Sequence, residues 1–213
     1  KDKPDVNPDT DRIYGEEGVT INIWFHDKAK LDSFKEREIK YLFVDIGNTG
    51  ADGNIETDAV EIETFLDFME NYSKQEDTYF IILPYSEVIL DNYNFTKEFQ
   101  KNFIEDYESF SVWGFDGVHI DVEAIPKDKQ QDYLDLLDEL RQNLGKDKIL
   151  SAYAGAVETN PGKWEWTPEY FKKVGDKLDI ITTQDYDFNL NTKEEYQNQL
   201  SKQMQEISAL NVK

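Results

Sequence analysis

The order of short apolar runs and longer amphipathic segments is the feature that most constrains this chain. Six apolar runs rich in Val, Ile, Phe and Tyr recur along the sequence, each about five to seven residues long, as strands usually are. They cover residues 19–25, 41–46, 79–83, 117–122, 149–153 and 178–183. Their near-continuous apolar character is typical of strands covered on both faces, as in parallel sheets.

The segments between these runs have helical spacing. Apolar side chains recur every three or four residues in four of them, at residues 58–72, 95–110, 129–144 and 193–210. Residues 27–38 and 168–175 are weaker helical candidates. Each predicted strand is therefore followed by a predicted helix, which leaves two main architectures, a doubly wound sheet or a barrel.

The first strand-to-helix turn favours the barrel. A doubly wound nucleotide-binding sheet usually has a glycine-rich phosphate loop there, whereas this chain has Trp24-Phe25-His26-Asp27. We predict an α/β fold of the (β/α)8 TIM-barrel type. A complete barrel has eight strand–helix units in about 250 residues, and only six are visible here. We therefore expect a flexible leader at residues 1–18 and a barrel domain at 19–213 that is incomplete at its C-terminus or closed in a reduced way.

Composition excludes several classes of partner. The 45 acidic and 23 basic residues give a net charge of -22, which repels nucleic acid and anionic lipid. A neutral poly- or oligosaccharide fits this charge better, although solubility alone accounts for most of it. The chain has no cysteine and hence no disulfide or thiolate site. No apolar run approaches the ~20 residues of a membrane span.

The fourth predicted strand carries the polar groups that suggest chemistry. Side chains alternate across a strand, so Val118, Ile120 and Val122 point one way and His119, Asp121 and Glu123 the other. Glu123 lies at the strand's C-terminal end, where barrel enzymes place their active sites. Carboxylates two residues apart raise one another's pKa, and a carboxyl group that keeps its proton can act as a general acid. A buried hydrogen-bonding network without chemistry is the alternative.

This stretch resembles the signature of glycoside hydrolase family 18, the chitinases and endo-β-N-acetylglucosaminidases. The family pattern, Asp-Gly-x-Asp-x-Asp-x-Glu on the fourth barrel strand, is matched by Asp116, Gly117, Asp121 and Glu123. His119 departs from it, because the family has Asp or Asn there. The sixth strand of the family ends in Met-x-Tyr-Asp, and here the sixth predicted strand is followed by Gln184-Asp185-Tyr186-Asp187.

The resemblance implies substrate-assisted retaining hydrolysis of β-linked N-acetylglucosamine glycans, either chitin-type or the core of an N-glycan. Glu123 would protonate the leaving oxygen, and Asp121 would stabilise the charge that develops on the substrate's acetamido group. Tyr186 would hydrogen-bond the same group. Asp187 and Gln184 would contact the sugar.

Three further residues are predicted to bind substrate. His119 could hydrogen-bond Asp121 and, when charged, would hold it ionised more firmly. Tyr153 shares a face of the fifth strand with Ser151, and Trp24 would lie on one face of the first strand at the barrel mouth. Trp164 and Trp166 could stack on sugar rings, but tryptophans beside a helix start more often pack on the barrel wall.

No cofactor or metal is expected, since the two histidines make no zinc motif, and we expect a monomer. An extracellular or cell-surface location follows only from the expected function. Three other functions stay open: a non-catalytic lectin on the same fold, a conventional two-carboxylate glycosidase, and a secreted structural or adhesion domain.

Overall fold

The computed structural model describes residues 18–89, 95–123, 125–155, 157, 166–183 and 192–210. Strands and helices alternate along these residues, with three short strands added and a single 3-10 turn at Lys127–Lys129. In chain order the elements are β1 (Gly18–Asn22), α1 (Lys28–Glu36), β2 (Tyr41–Asp45), β3 (Asn48–Thr49), β4 (Ile55–Glu56), α2 (Ala59–Glu76), β5 (Ile81–Tyr85), β6 (Glu87–Ile89), α3 (Lys97–Trp113), β7 (Gly117–Glu123), α4 (Gln130–Leu144), β8 (Ile149–Ala154), α5 (Pro168–Gly175), β9 (Ile180–Thr183) and α6 (Lys193–Ala209).

All six predicted strands and all six predicted helices are present, with shifted ends. The first strand ends at Asn22, three residues before its predicted end, so Trp24 and His26 follow the strand instead of lying on its face. Gly18, which was assigned to the leader, is the first residue of β1. The rest of the leader lies outside the described residues.

The long strands run parallel in the order of the chain. β1 pairs with β2 and β2 with β5, in a register that places Asn22 opposite Asp45 and Asp45 opposite Tyr85. On the other side β7 pairs with β8 and β8 with β9. The short strand β6 pairs with the end of β7. Consecutive parallel strands joined through helices are the arrangement expected of an α/β barrel wall.

Aspartates just before two strands tie each of those strands to its neighbour. The N–H of Asp116 donates to the carbonyl of Ile82 at 3.1 Å, and its carboxylate accepts the N–H of Ile82 at 2.9 Å. Asp179 holds Leu150 in the same two-point manner, at 2.9 Å and 2.8 Å. Asp116, the first residue of the family-like motif, therefore joins β5 to β7 and has a structural role.

Two apolar layers form on opposite faces of the strands. One large cluster lies between the strands and the helices and includes Val118, Ile120 and Val122 of β7. A smaller cluster on the other face gathers Ile81, Leu83 and Ile149 with the partly buried Tyr41 and Phe43. This second cluster brings together residues of strands that are not neighbours in the sheet, so the face is concave.

Gly117 is required where β7 starts. A Cβ atom at this position would lie 2.0 Å from the carbonyl oxygen of Ile149 and 2.6 Å from its nitrogen, both backbone atoms of the paired strand β8. Neither atom can move aside without separating the two strands.

We expect Gly117→Ala to lower the free energy of unfolding by about 1–3 kcal/mol, a loss of roughly 2–10 °C in Tm for a chain of this size. Gly50→Ala is the matched control, because there the nearest atom is a carboxylate oxygen of the exposed Asp52 side chain. Thermal melts followed by circular dichroism check the difference. Equal Tm values for the two variants would contradict the close approach of β7 and β8.

Candidate active site

The candidate site lies on the concave face at the C-terminal end of β7. Val118, Ile120 and Val122 are buried against the helices, and the alternation along the strand turns His119, Asp121 and Glu123 to the other face. His119 is buried, whereas Asp121 and Glu123 are partly exposed. The predicted division of β7 into an apolar and a polar face is therefore confirmed.

Asp121 is the group whose chemistry the fold alters most. Its Oδ1 atom is buried and has no hydrogen-bond partner among the described residues. Burial raises the pKa of Asp121 to about 7, and the negative charges of Glu123, Glu87 and Asp45 add to the effect in that order. A carboxyl group with a pKa in this range exchanges its proton near neutral pH, as acid–base groups of active sites do.

His119 lies beneath these carboxylates as a neutral group. Only 5% of its surface is exposed, its Nδ1 is 2.8 Å from the hydroxyl of Ser151, and its ring contacts Phe43 and Tyr85 at centroid distances of 4.6 Å and 5.9 Å. Burial lowers the pKa of His119 to about 3. His119 was expected to hold Asp121 ionised only when charged, and this condition is not met at neutral pH, because desolvation keeps the imidazole uncharged. Its predicted contact with substrate stays untested, and its burial does not favour it.

Tyr107, a buried residue of α3, supports strand β7. The hydroxyl of the fully buried Tyr107 donates to the carbonyl of His119 at 3.2 Å and accepts the N–H of Ser86 at 3.0 Å. The side chain of Ser86 in turn donates to the carbonyl of Gly47 at 2.9 Å. Tyr107 thus connects β7 with the junction of β5 and β6.

The other predicted site residues are placed as follows. Tyr153 shares the concave face of β8 with Ser151 and is 9% exposed. Trp24 is 64% exposed in the turn after β1, so the strand-face argument for it is wrong, while its role in binding remains a prediction. Trp166 is 4% exposed and packs on Gly155 and Tyr170, as expected for the barrel wall. Gln184, Tyr186, Asp187 and Trp164 lie outside the described residues.

Three carboxylates, those of Glu123, Glu87 and Asp45, act on Asp121. Within the described part of the chain, no group of three or more His, Asp or Glu side chains could hold a metal ion.

A cavity of about 840 Å³ lies elsewhere, between α2 and α3, and its lining includes Leu66, Phe80 and Trp113 but none of the predicted site residues. Among the described helices, none is long and apolar enough to cross a membrane.

The fold matches solved structures of a spore cortex-lytic enzyme and of chitinases. The spore cortex-lytic enzyme SleL of Bacillus cereus superposes with a TM-score of 0.61 at 14% identity, over 89% of this chain and 47% of the other. The Group IV chitinase of Ostrinia furnacalis, also solved with allosamidin, gives 0.61 at 16% identity over 80% and 51%. The family GH18 chitinase of Chromobacterium violaceum gives 0.58 at 14% identity over 87% and 55%.

These comparisons confirm the predicted fold class and the resemblance to glycoside hydrolase family 18 at the level of fold. No family model and no curated protein matches the sequence. The chain spans about half the length of the solved structures it matches. The chain therefore has the architecture of part of a (β/α) barrel, with six strand–helix units.

The raised pKa of Asp121 has a measurable consequence for stability. Since the folded pKa of about 7 lies above the ordinary 3.8, the folded state binds more protons between these values, and stability falls as the pH rises through that window. Ionising this group in the folded state costs at most roughly 4 kcal/mol.

We expect Asp121→Asn to raise Tm relative to the parent by several degrees at pH 8 and by clearly less at pH 5. Asp52→Asn is the control with the opposite sign, because its hydrogen bonds with Asn54 lower the pKa of Asp52. Differential scanning calorimetry at both pH values checks the prediction. A Tm gain for Asp121→Asn that is the same at pH 5 and pH 8 would contradict a proton-binding Asp121.

Proposed function

We propose that this chain forms part of a glycoside hydrolase that cleaves β-linked N-acetylglucosamine glycans by substrate-assisted retaining catalysis. The observation that supports this proposal most strongly is the pair of carboxyl groups on one face of β7, Asp121 and Glu123, at the C-terminal end of a barrel strand. The barrel fold shared with chitinases and with SleL adds support. An extracellular or cell-surface location is proposed with this function.

The proposed reaction begins with Glu123 as the general acid. Glu123 gives its proton to the glycosidic oxygen while the oxygen of the substrate's own 2-acetamido group attacks the anomeric carbon and displaces the leaving sugar. The product of this step is a cyclic oxazolinium ion, which carries a positive charge. In the second step Glu123, now ionised, takes a proton from water, and the water oxygen attacks the anomeric carbon and reopens the ring.

Asp121 is proposed to stabilise the oxazolinium ion. An ionised carboxylate beside the acetamido nitrogen lowers the energy of the positive charge that develops there. The buried Oδ1 atom, which has no hydrogen-bond partner among the described residues, is suited to this task, because it exchanges little hydration for a hydrogen bond from the substrate. Tyr186 and Asp187 are proposed to hold the same sugar.

Buried side chains below the carboxylates are proposed to form a rigid floor. His119 and Ser151 hold each other by a hydrogen bond, and Phe43 and Tyr85 cover the imidazole ring. Such packing fixes the rotamers of neighbouring groups, and a catalytic carboxylate needs a fixed position more than it needs additional charge.

Cleavage assays with the protein and its Glu123→Gln variant test the proposal. We expect the parent to cleave chito-oligosaccharides or a high-mannose N-glycopeptide, and the variant to be at least about a hundredfold slower, with products read by mass spectrometry. Glu56→Gln, which changes an exposed glutamate of β4, is the control and should keep the parent rate. Binding of allosamidin or chito-oligosaccharides by parent and variant, with cleavage by neither, would contradict the enzyme and favour a lectin.

Replacing the acetamido group separates this mechanism from a conventional two-carboxylate one. We expect no cleavage of cello-oligosaccharides, which carry a hydroxyl at C2 and so lack the internal nucleophile. The measurement is a side-by-side product analysis of cellopentaose and chitopentaose at equal concentration. Hydrolysis of both substrates at comparable rates would show that the acetamido group is not the nucleophile.

A further inference from the structure

The acid that family 18 has at position 119 is absent from this chain. In the family that acid pairs with the carboxyl group at position 121. Here the position holds a neutral, buried histidine whose Nδ1 is engaged with Ser151. Asp121 therefore has no carboxyl partner below it on its own strand, although its proton affinity is raised.

A second carboxylate reaches Asp121 from the neighbouring strand. The register of the β6–β7 pair places Glu87 directly opposite Asp121. In-register residues of paired parallel strands point to the same face, with backbones about 4.8 Å apart. Glu87 therefore faces the concave side with Asp121, and it is more exposed than Asp121.

The interruption between β5 and β6 brings Glu87 to this place. β5 ends at Tyr85, and Ser86 leaves the ladder: its hydroxyl is 2.8 Å from that of Thr49 and donates to the carbonyl of Gly47. Its N–H donates to the buried hydroxyl of Tyr107. These three bonds fix Ser86, which is fully buried, and so fix the strand that follows it.

Among the described residues, the charges that act on Asp121 are all negative. Glu123 lies on the same strand, Glu87 on β6 and Asp45 at the end of β2, and each raises the pKa of Asp121. Three further titratable side chains near Asp121, those of His119, Tyr107 and Tyr133, are buried and uncharged at neutral pH. No Lys or Arg of the described residues contributes to this balance.

We propose that Glu87 is a positioning residue that acts through Asp121: from the neighbouring strand its negative charge adds to burial and to the charge of Glu123 in holding the proton on Asp121, and so raises the lowest pH at which the site can stabilise a cationic intermediate. This proposal rests on the proposed function, since only the ionised carboxylate stabilises the oxazolinium ion. The proton that Asp121 loses as the pH rises passes to solvent. In this chain a glutamate on the neighbouring strand thus takes over the task of the acid that His119 replaces.

Direct titration of Asp121 tests the charge coupling without requiring any activity. The carboxyl carbon of Asp121 is followed by NMR in protein labelled with ¹³C-aspartate, and the signal is assigned by its loss in Asp121→Asn. We expect Glu87→Gln to lower the midpoint of Asp121 by about 0.5 pH unit or more, and Asp45→Asn to lower it less. Glu61→Gln, on the first turn of α2, is the control and should not move it. High salt should reduce the effect of Glu87, because exposed charges are screened.

The pH profile of kcat/KM shows whether the charge of Glu87 also affects catalysis. In Glu87→Gln the acid limb of the pH profile of kcat/KM for chito-oligosaccharide should move to lower pH by the same amount as the NMR midpoint, while Glu61→Gln keeps the parent limb. An Asp121 midpoint in Glu87→Gln that stays within about 0.2 pH unit of the parent would overturn the proposal. If the Asp121 midpoint shifts but the parent cleaves neither chito-oligosaccharides nor the N-glycopeptide, the effect of Glu87 on Asp121 stands and the proposed glycosidase activity is refuted. The failure of one proposal is therefore distinguishable from the failure of the other.

Discussion

The alternation of side chains along β7 is the constraint on which the rest of the structure depends. The strand buries Val118, Ile120 and Val122 against the helices. Because side chains alternate along a strand, His119, Asp121 and Glu123 then point to the concave face. A one-residue slip would exchange the two sets and place two carboxylates in the apolar layer. Gly117, pressed against β8, and Asp116, bonded to Ile82, hold the register from the start of the strand.

The polar face that results lowers the stability of the fold. Asp121 has a buried oxygen without a partner in the described part of the chain, and burial, together with three nearby carboxylates, raises its pKa. Proteins keep such groups at functional sites and offset their cost elsewhere. Here the aromatic packing of α3, in which the rings of Phe99, Phe103, Tyr107 and Phe110 contact one another in succession, supplies part of that compensation.

The sequence predicted the strands and helices well, but it predicted poorly which strands pair and which side chains meet across them. Hydrophobic runs and helical spacing located all six strand–helix units, because each of these patterns is set by burial of its own segment. The short strand β6 and the β3–β4 ribbon were missed, since two or three residues carry no periodicity and their pairing depends on distant partners. For the same reason the pairing of Glu87 with Asp121 and the His119–Ser151 bond were not foreseen. The end of β1 was misplaced because Trp24 and Phe25 continue its apolar run beyond the paired residues.

The stereochemistry of the first product is the most direct test of substrate-assisted retaining catalysis. Attack by the substrate's acetamido oxygen followed by attack of water inverts the anomeric carbon twice. Proton NMR of the anomeric region, recorded within the first minutes of chito-oligosaccharide cleavage, distinguishes the two anomers before they interconvert. Substrate-assisted retaining catalysis predicts that the β-anomer appears first and the α-anomer only later, by mutarotation. Initial release of the α-anomer would contradict it and would show that water attacks the sugar directly.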